Sequence, residues 1–279
     1  MISDMRSHIF VFLLFLVAHV VLIARGEISF DQNYMVTFGG DHVTFINPGN
    51  EIQLSLDNYT GSGFGSKMTY GSGFFHQRIK VPGRNSAGVV TAFYLTSQGP
   101  KHDELDFEFL GSVEGKPIIL QTNIFTADIG GREQRIHLWF DPTANFHDYA
   151  ILWNQHQIVF YVDNIPIRVY KNKSNVGVAY PSKPMKIQAS LWNGAWSSDT
   201  KINWSYAPFK ANYQGFDVSG CQVQSANCAS VLYWWNGQKY WQLDPIQQRR
   251  YEMIKKKYMV VDYCNDKKRY PQPPLECLP

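Results

Sequence analysis

Four side chains able to hold charge or move a proton stand at alternate positions of one run, His102-Asp-Glu-Leu-Asp-Phe-Glu-Phe-Leu-Gly111. Side chains two apart on a β-strand share a face, so this run predicts a strand with two unlike sides. His102, Glu104, Asp106 and Glu108 point one way, while Leu105, Phe107 and Phe109 point the other, into a core. Neighbouring carboxylates then stand roughly 7 Å apart at the rise of a strand, and no Lys or Arg inside the run offsets them. Partial burial of such a row makes full ionisation hard to sustain, so at least one group should keep its proton near neutral pH. An ionised carboxylate beside a protonated carboxyl is the pair that breaks a glycosidic bond with retention: one attacks, the other releases the leaving oxygen. The outer glutamates, Glu104 and Glu108, suit these jobs, with Asp106 between them to hydrogen-bond and tune the nucleophile.

Spacing alone leaves the stereochemistry open. Residues four apart on a strand have Cα atoms about 13 Å from one another, whereas retention needs carboxyl groups roughly 5 to 5.5 Å apart. The glutamates must therefore lean inward on a concave sheet, and an inverting geometry stays possible. Two non-catalytic readings compete. A solvated acidic face on an edge strand would ordinarily carry mixed charge and a less apolar reverse side. A calcium site would need neighbouring loop ligands that the sequence does not supply.

The rest of the chain must build the sheet that holds this strand. Between Tyr34 and about Tyr206, short apolar/polar alternations bounded by Gly, Pro, Asn and Asp predict antiparallel strands. The clearest are Glu51–Asp57, Phe74–Val81, Val89–Thr96, Ile118–Phe125, Tyr149–Trp153, Ile158–Asp163, Met185–Trp192 and Lys201–Trp204. So many strands without intervening helices predict an all-β chain, a sandwich of two antiparallel sheets or a jelly roll. One helix is expected late, in the C-terminal extension. Asp244 can cap it, Pro245 fits its first position, and Ile246, Ile254 and Tyr258 form an apolar stripe that would pack on the sandwich. Aromatic residues make up 15% of the chain, including 8 Trp. That exceeds the ordinary needs of one core, and flat apolar rings with polar edges suit the faces of pyranose sugars.

Residues 1–26 differ from everything after them. Arg6 precedes an apolar run from Ile9 to Ile23, with Ala24 and Gly26 near a plausible cut, the pattern of a signal peptide cleaved after Gly26. A signal anchor is the competing reading, but the run is shorter than the ~20 residues that span a bilayer. The expected organisation is then a leader at 1–26, one β domain over 27–215 and a disulfide-bonded extension over 216–279. The net charge of +3 is small, which speaks against nucleic acid as a partner, and no membrane association is expected after cleavage. Cys221, Cys228, Cys264 and Cys277 all lie in the last quarter, and an even number in an exported chain implies disulfides. Of the three possible pairings, the local one, Cys221 with Cys228 and Cys264 with Cys277, is favoured. Zinc is the weaker alternative, since no Cys-x-x-Cys spacing occurs. N-x-[ST] sequons stand at Asn58, Asn172 and Asn203, the last inside an expected strand.

The motif HDELDFEFLG closely resembles the active-site strand of the plant xyloglucan endotransglucosylase/hydrolase family, within the glycoside hydrolase family 16 β-jelly-roll group. The resemblance extends through Gly71-Ser-Gly-Phe-Phe, Gln121-Thr-Asn123, Trp139-Phe-Asp-Pro142, Ser190-Leu-Trp-Asn193, Lys201-Ile-Asn-Trp-Ser205 and the tail from Asp262 to Pro271. It implies a concanavalin-like jelly roll and a retaining reaction on the β-1,4-glucan backbone of xyloglucan, with Glu104 as nucleophile, Glu108 as acid/base and Asp106 as helper. It also implies sugar contacts from Gln121, Thr122 and Asn123, from Gly131, Arg132 and Glu133, and from Arg269 in the extension. The expected partners are a xyloglucan donor and a xyloglucan or oligosaccharide acceptor, met by a monomer in the plant cell wall or apoplast, with no cofactor and no metal.

Two departures from the family pattern bear on function. Many relatives place a sequon directly after the catalytic strand, whereas this chain continues Gly111-Ser-Val-Glu-Gly115. Relatives also follow the Trp-Asn strand with a longer glycine-rich loop on the acceptor side, of which only Gly194-Ala-Trp-Ser-Ser-Asp-Thr200 remains, with Trp196 keeping the aromatic role. Acceptor binding turns on that segment; transfer to a sugar acceptor is expected first and hydrolysis second. A non-catalytic glucan-binding module is the alternative from another class, and the intact acidic trio argues against it.

Overall fold

The structure, a computed structural model, describes residues 28–194, 201–224 and 227–278. The expected leader at 1–26 and the loop that carries Trp196 lie outside the described residues. Among these, the alternating pattern is realised as sixteen strands: β1 (Tyr34–Phe38), β2 (Val43–Ile46), β3 (Glu51–Leu56), β4 (Ser62–Ser66), β5 (Tyr70–Lys80), β6 (Val89–Ser97), β7 (Glu104–Leu110), β8 (Ile119–Phe125), β9 (Gln134–His137), β10 (His147–Trp153), β11 (Gln157–Val162), β12 (Ile165–Lys171), β13 (Met185–Asn193), β14 (Phe209–Gln214), β15 (Ser219–Gln222) and β16 (Met259–Asp262). A short helix, α1 (Phe30–Asn33), precedes them, and α2 (Pro245–Tyr258) stands before β16.

Antiparallel ladders gather the strands into two layers, the jelly-roll sandwich that the resemblance implies. One layer runs β1-β4-β13-β6-β7-β8-β9-β16. The other runs β2-β3-β14-β5-β10-β11-β12 with β15 also on β5, and the Met185–Tyr70 pair links the two. The acidic strand β7 lies inside the first layer, paired along its whole length with β6 and β8. An edge position is thereby ruled out.

Apolar side chains from both inner faces fill the space between the layers. Phe107 meets Phe160 of the opposite sheet edge-on at 5.1 Å between ring centroids, and Phe109 meets Tyr149 at 4.7 Å. Leu95, Leu105, Ile124, Ile151, Ile187 and Val162 are all buried around them. Because alternate β7 residues are locked into this core, the others have only one direction left.

The extension serves both layers. Past Phe216 it covers the outer face of the second sheet, where Trp235 and Cys221 pack with Ala150, Leu152, Val159 and Tyr161. It then forms α2 and ends beside the first sheet, where β16 pairs with β9. Disulfides join Cys221 to Cys228 and Cys264 to Cys277, the favoured pairing. Helix α2 starts as expected: the Asp244 carboxylate accepts from the backbone N–H of Ile246 and Gln247 at 2.7 and 2.8 Å, and the Gln247 side chain accepts from Asp244 N.

Two expectations change. Lys201–Trp204 is not a strand: Asn203 Oδ1 accepts from Ser205 N at 3.1 Å and from Ser205 Oγ at 2.8 Å, and the chain turns into a 3-10 helix over Trp204–Tyr206. Asn side chains compete for backbone partners in this way, and here the cap outweighs the alternation. Asn203 is consequently exposed, outside any ladder. Within α2 only part of the apolar stripe docks, because Ile254 is buried whereas Ile246 is 56% exposed. Eight helical residues turn the chain about 80° past two full revolutions, which carries Ile246 off the docking line.

Truncating Ile254 to Ala should therefore destabilise the protein by about 2–4 kcal/mol, while Ile246→Ala should stay within about 0.5 kcal/mol of the parent. Urea unfolding of the two variants checks this, and equal midpoints would contradict the docking of α2.

Candidate active site

The ladders around β7 decide which side chains meet. Residues directly opposite one another in antiparallel strands project to the same face. In register, Glu104 lies between Thr96 and Phe125, Asp106 between Tyr94 and Asn123, and Glu108 between Ala92 and Gln121. Ser190 extends the last row beyond Ala92, and Arg135 extends it beyond Gln121. These rows line a cavity of about 570 Å³ that holds all three carboxylates, with Trp192, Phe38 and Glu133 on its walls.

Burial separates the acids into different roles. Glu108 is held above the usual carboxylate range by burial first and by the Glu104 charge, against the opposing pull of Gln121 and Arg135. Asp106 is fully enclosed and raised well above its ordinary value, first by burial, then by the charges of Glu104 and Glu108, and by a hydrogen bond with Glu104. Asp106 thus keeps its proton and offers it to the Glu104 carboxylate. Tyr94 is likewise pushed up to about 12 by burial and the two nearby acids, so it faces the cavity as a neutral phenol.

A relay sets the orientation of Glu108. Arg135 Nε donates to Gln121 Oε1 at 2.7 Å, and Gln121 Nε2 donates to Glu108 Oε2 at 2.6 Å. At the other end, His102 Nε2 lies 3.8 Å from Glu104 Oε2, while its Nδ1 pairs with Asp128. The His102 ring stacks on Phe125 at 5.6 Å. Beneath the row, between the sheets, sits Arg168 of β12. Its guanidinium donates to Thr122 O at 2.8 Å, to Thr122 Oγ1 at 3.0 Å and to Arg132 O at 2.7 Å. This buried cation is the influence that draws Asp106 downward against the acids.

The expected sugar-contact residues divide. Gln121, Asn123 and Glu133 line the cavity. The Asn123 oxygen accepts from Ile124 N and Arg132 N at 2.9 and 3.1 Å, which leaves its amide N–H as the group to offer a hydroxyl. Thr122 does not face the cavity, because the two-residue period sends it to the core side, where it receives Arg168. Arg132 is also turned away: its Nε donates to Glu276 Oε1 at 2.8 Å, and only its backbone serves the site, by holding Asn123. Arg269 does not line the cavity itself but bonds Glu133 Oε2 at 2.5 Å and Gly131 O at 3.1 Å at its rim. Gly131 has φ +80°, and a Cβ there would meet the Tyr270 hydroxyl at 2.9 Å, so the bend needs glycine. Sequence reading missed Tyr94, Phe125, Arg135 and Phe38. Tyr94 and Phe125 were within its reach, since each occupies the same-face position of a strand next to the acidic one, whereas Arg135 stands one strand further out, on β9.

This set of side chains can attack a carbon, protonate a departing oxygen and fix hydroxyl groups on either side. Among the described residues, no group of three or more His, Cys, Asp or Glu side chains could hold a metal ion.

Comparison with known proteins places this geometry. The model of glycosyl hydrolases family 16 matches residues 30–207, and that of the xyloglucan endo-transglycosylase C-terminus matches residues 229–277. Xyloglucan endotransglucosylase/hydrolase protein 2 of Arabidopsis thaliana is 60% identical over 262 residues, 91% of this chain and 90% of that protein. Xyloglucan endotransglucosylase protein 34 of Populus tremula x Populus tremuloides is 49% identical over 259 residues, covering 90% and 88%. Among solved structures, a Bacillus licheniformis β-glucanase superposes with a TM-score of 0.56 at 27% identity, over 65% of this chain and 89% of that one. The fold is shared with an apo Crh5 transglycosylase, TM-score 0.56 at 22% identity over 70% of this chain and 80% of that one.

A carboxyl whose folded pKa lies above its unfolded one binds its proton more tightly in the folded state. Its stabilising effect is complete below the unfolded value of about 3.9 and is lost as pH rises through the folded value. Asp106→Asn cannot ionise and keeps an N–H donor. It should unfold at higher urea than the parent at pH 7, with the difference vanishing near pH 3.5; a variant less stable at pH 7 would show that Asp106 is not held neutral.

Proposed function

From the premise that this chain belongs to glycosyl hydrolases family 16, we propose that it is a retaining xyloglucan endotransglucosylase that cuts the β-1,4-glucan backbone of one xyloglucan chain and joins it to another. The observation that carries the reading is the division of labour on β7: Glu104 receives a hydrogen bond from a neutral Asp106, while burial favours the protonated form of Glu108. The names of the similar plant proteins and the match to the C-terminal model support the substrate.

In the first step the Glu104 carboxylate attacks the anomeric carbon as the glycosidic C–O bond breaks. The proton of Glu108 goes to the departing glucan oxygen. Glu104 becomes a glycosyl ester, and Asp106, by donating to it, orients the attacking oxygen. Glu108, now ionised, takes the proton of the incoming hydroxyl, whose oxygen attacks the same carbon and frees Glu104. The Arg135–Gln121 relay holds Glu108 in place through both proton transfers. Gln121 and Asn123 offer polar groups to the sugar on the β8 side of the cut, and the Glu133–Arg269 pair sits at the rim.

Transfer and hydrolysis diverge only in what attacks the ester. Water is present at ~55 M, so a sugar acceptor prevails only if it is held in position. The shortened sequence over Gly194–Thr200, where the family pattern has a longer glycine-rich stretch, favours hydrolysis as the second reading. For the cellular setting, we read residues 1–26 as a leader and the cell wall as destination. Two disulfides suit that oxidising space, and no helix among the described residues is long and apolar enough to cross a membrane. We read the protein as a monomer.

Glu104→Ala should retain xyloglucan binding and lose turnover, and Glu108→Gln should lower the rate about 10²- to 10⁴-fold. Turnover that persists in the Glu104 variant removes the nucleophile assignment. Adding a xyloglucan oligosaccharide to the purified protein should raise the rate at which xyloglucan chains shorten; equal rates with and without it would make hydrolysis the main activity.

A further inference from the structure

At the far edge of the second sheet, the turn joining β10 to β11, the end of β12 and the extension enclose a second, open pocket of about 480 Å³. None of its lining residues borders the acidic cavity. Trp241 forms one wall. One face of its indole is stacked on His156 at 4.2 Å between centroids, and its Nε1 donates to Asn236 O at 2.9 Å. Trp241 is nevertheless 41% exposed. Around it stand the amide side chains Gln155, Asn172, Asn175 and Gln242. An aromatic face among amide groups is a surface for a sugar ring: the apolar C–H face covers the indole and the hydroxyls find donors and acceptors.

One lining residue, Asn172, begins the sequon Asn172-Lys173-Ser174. Its side chain is held at both ends. Oδ1 accepts from Ser174 N at 3.0 Å and Ser174 Oγ at 2.6 Å, and Nδ2 donates to Gln155 O at 2.7 Å. The backbone N–H of Asn172 donates to His156 O at 2.9 Å, which ties the sequon to the residue behind the indole. An amide nitrogen carries two hydrogens, so one can be replaced while the other keeps its bond to Gln155.

We infer that Asn172 carries an N-linked glycan whose first N-acetylglucosamine packs on Trp241, making this pocket a seat for the protein's own carbohydrate. The modifying reagent is a lipid pyrophosphate-linked oligosaccharide of the secretory pathway. The bond between Nδ2 and sugar C1 forms as C1–O to the pyrophosphate breaks; one amide proton passes to base, and the lipid pyrophosphate departs. Asn58 and Asn203 are exposed sequon residues, whereas Asn172 is half-buried, and neither of the other two lines this pocket. The inference rests on export of the chain, and the two are read separately.

The test uses the full chain secreted from a plant or yeast host. Peptide mass spectrometry should find hexosamine on Asn172. Ser174→Ala should lose it and lower Tm by about 2–4 °C, whereas Ser174→Thr should restore both. Enzymatic trimming of the parent to a single N-acetylglucosamine should leave Tm unchanged, because the seated residue remains. In a Trp241→Ala background, Ser174→Ala should bring no further loss; if that background is not secreted, the trimming result decides. Secreted protein with a bare Asn172, or a trimmed parent that melts like Ser174→Ala, overturns the inference. Protein left unmodified inside the cell overturns the leader along with it.

Discussion

Everything in this molecule follows from the electrostatic problem that β7 creates. A strand presents every second residue to one side, and β7 presents three acids there with no basic residue among them. The fold makes the crowding worse, because Leu105, Phe107 and Phe109 are locked into the core and the strand cannot rotate. Protons are the remedy. Asp106, the most enclosed of the three, keeps one and gives its hydrogen bond to Glu104, and Glu108 is biased towards keeping another. The same repulsion that destabilises the row prepares it for acid and nucleophile chemistry.

Two cationic groups moderate that problem from opposite sides of the sheet. Arg135 acts in the cavity through Gln121, so its influence reaches Glu108 as a directed hydrogen bond. Arg168 acts from within the core. The residue is only 1% exposed and its guanidinium bonds carbonyl and hydroxyl oxygens, so its charge is not neutralised by direct pairing with an acid among the described residues. A buried cation of this kind is costly unless well hydrogen-bonded. Here it serves two local purposes: it anchors β8 at Thr122, between two cavity residues, and it offsets part of the negative field on Asp106.

Alternation made the site legible because one period governs both the strand and its neighbours. The faces of β7, seven of the eight anticipated strands, the capped helix and the local disulfide pairing could all be read from residue types. What escaped depended on information outside any single segment. Thr122 looked like part of a sugar-binding triplet, yet its strand position turns it to the core. Arg132 looked like a rim cation, yet Glu276, 144 residues later, takes its side chain. Lys201–Trp204 had a strand's pattern, but Asn203 had a closer partner in Ser205. The contributions of Phe38 and Arg135 required knowing which strands lie side by side, and ladder order is not written in local pattern.

One clasp ties the end of the chain to the rim of the cavity. The loop closed by Cys264 and Cys277 contains Arg269, which holds Glu133; Tyr270, which holds Gly131; and Glu276, which holds Arg132. Three anchor points of the sugar-facing edge thus depend on a single covalent bond that the carboxylates themselves do not need. A chain assembled in a reducing compartment would keep its acids aligned but lack a taut rim to grip a polymer. The grip on the rim therefore depends on the redox state of two sulfurs, while the alignment of the acids does not.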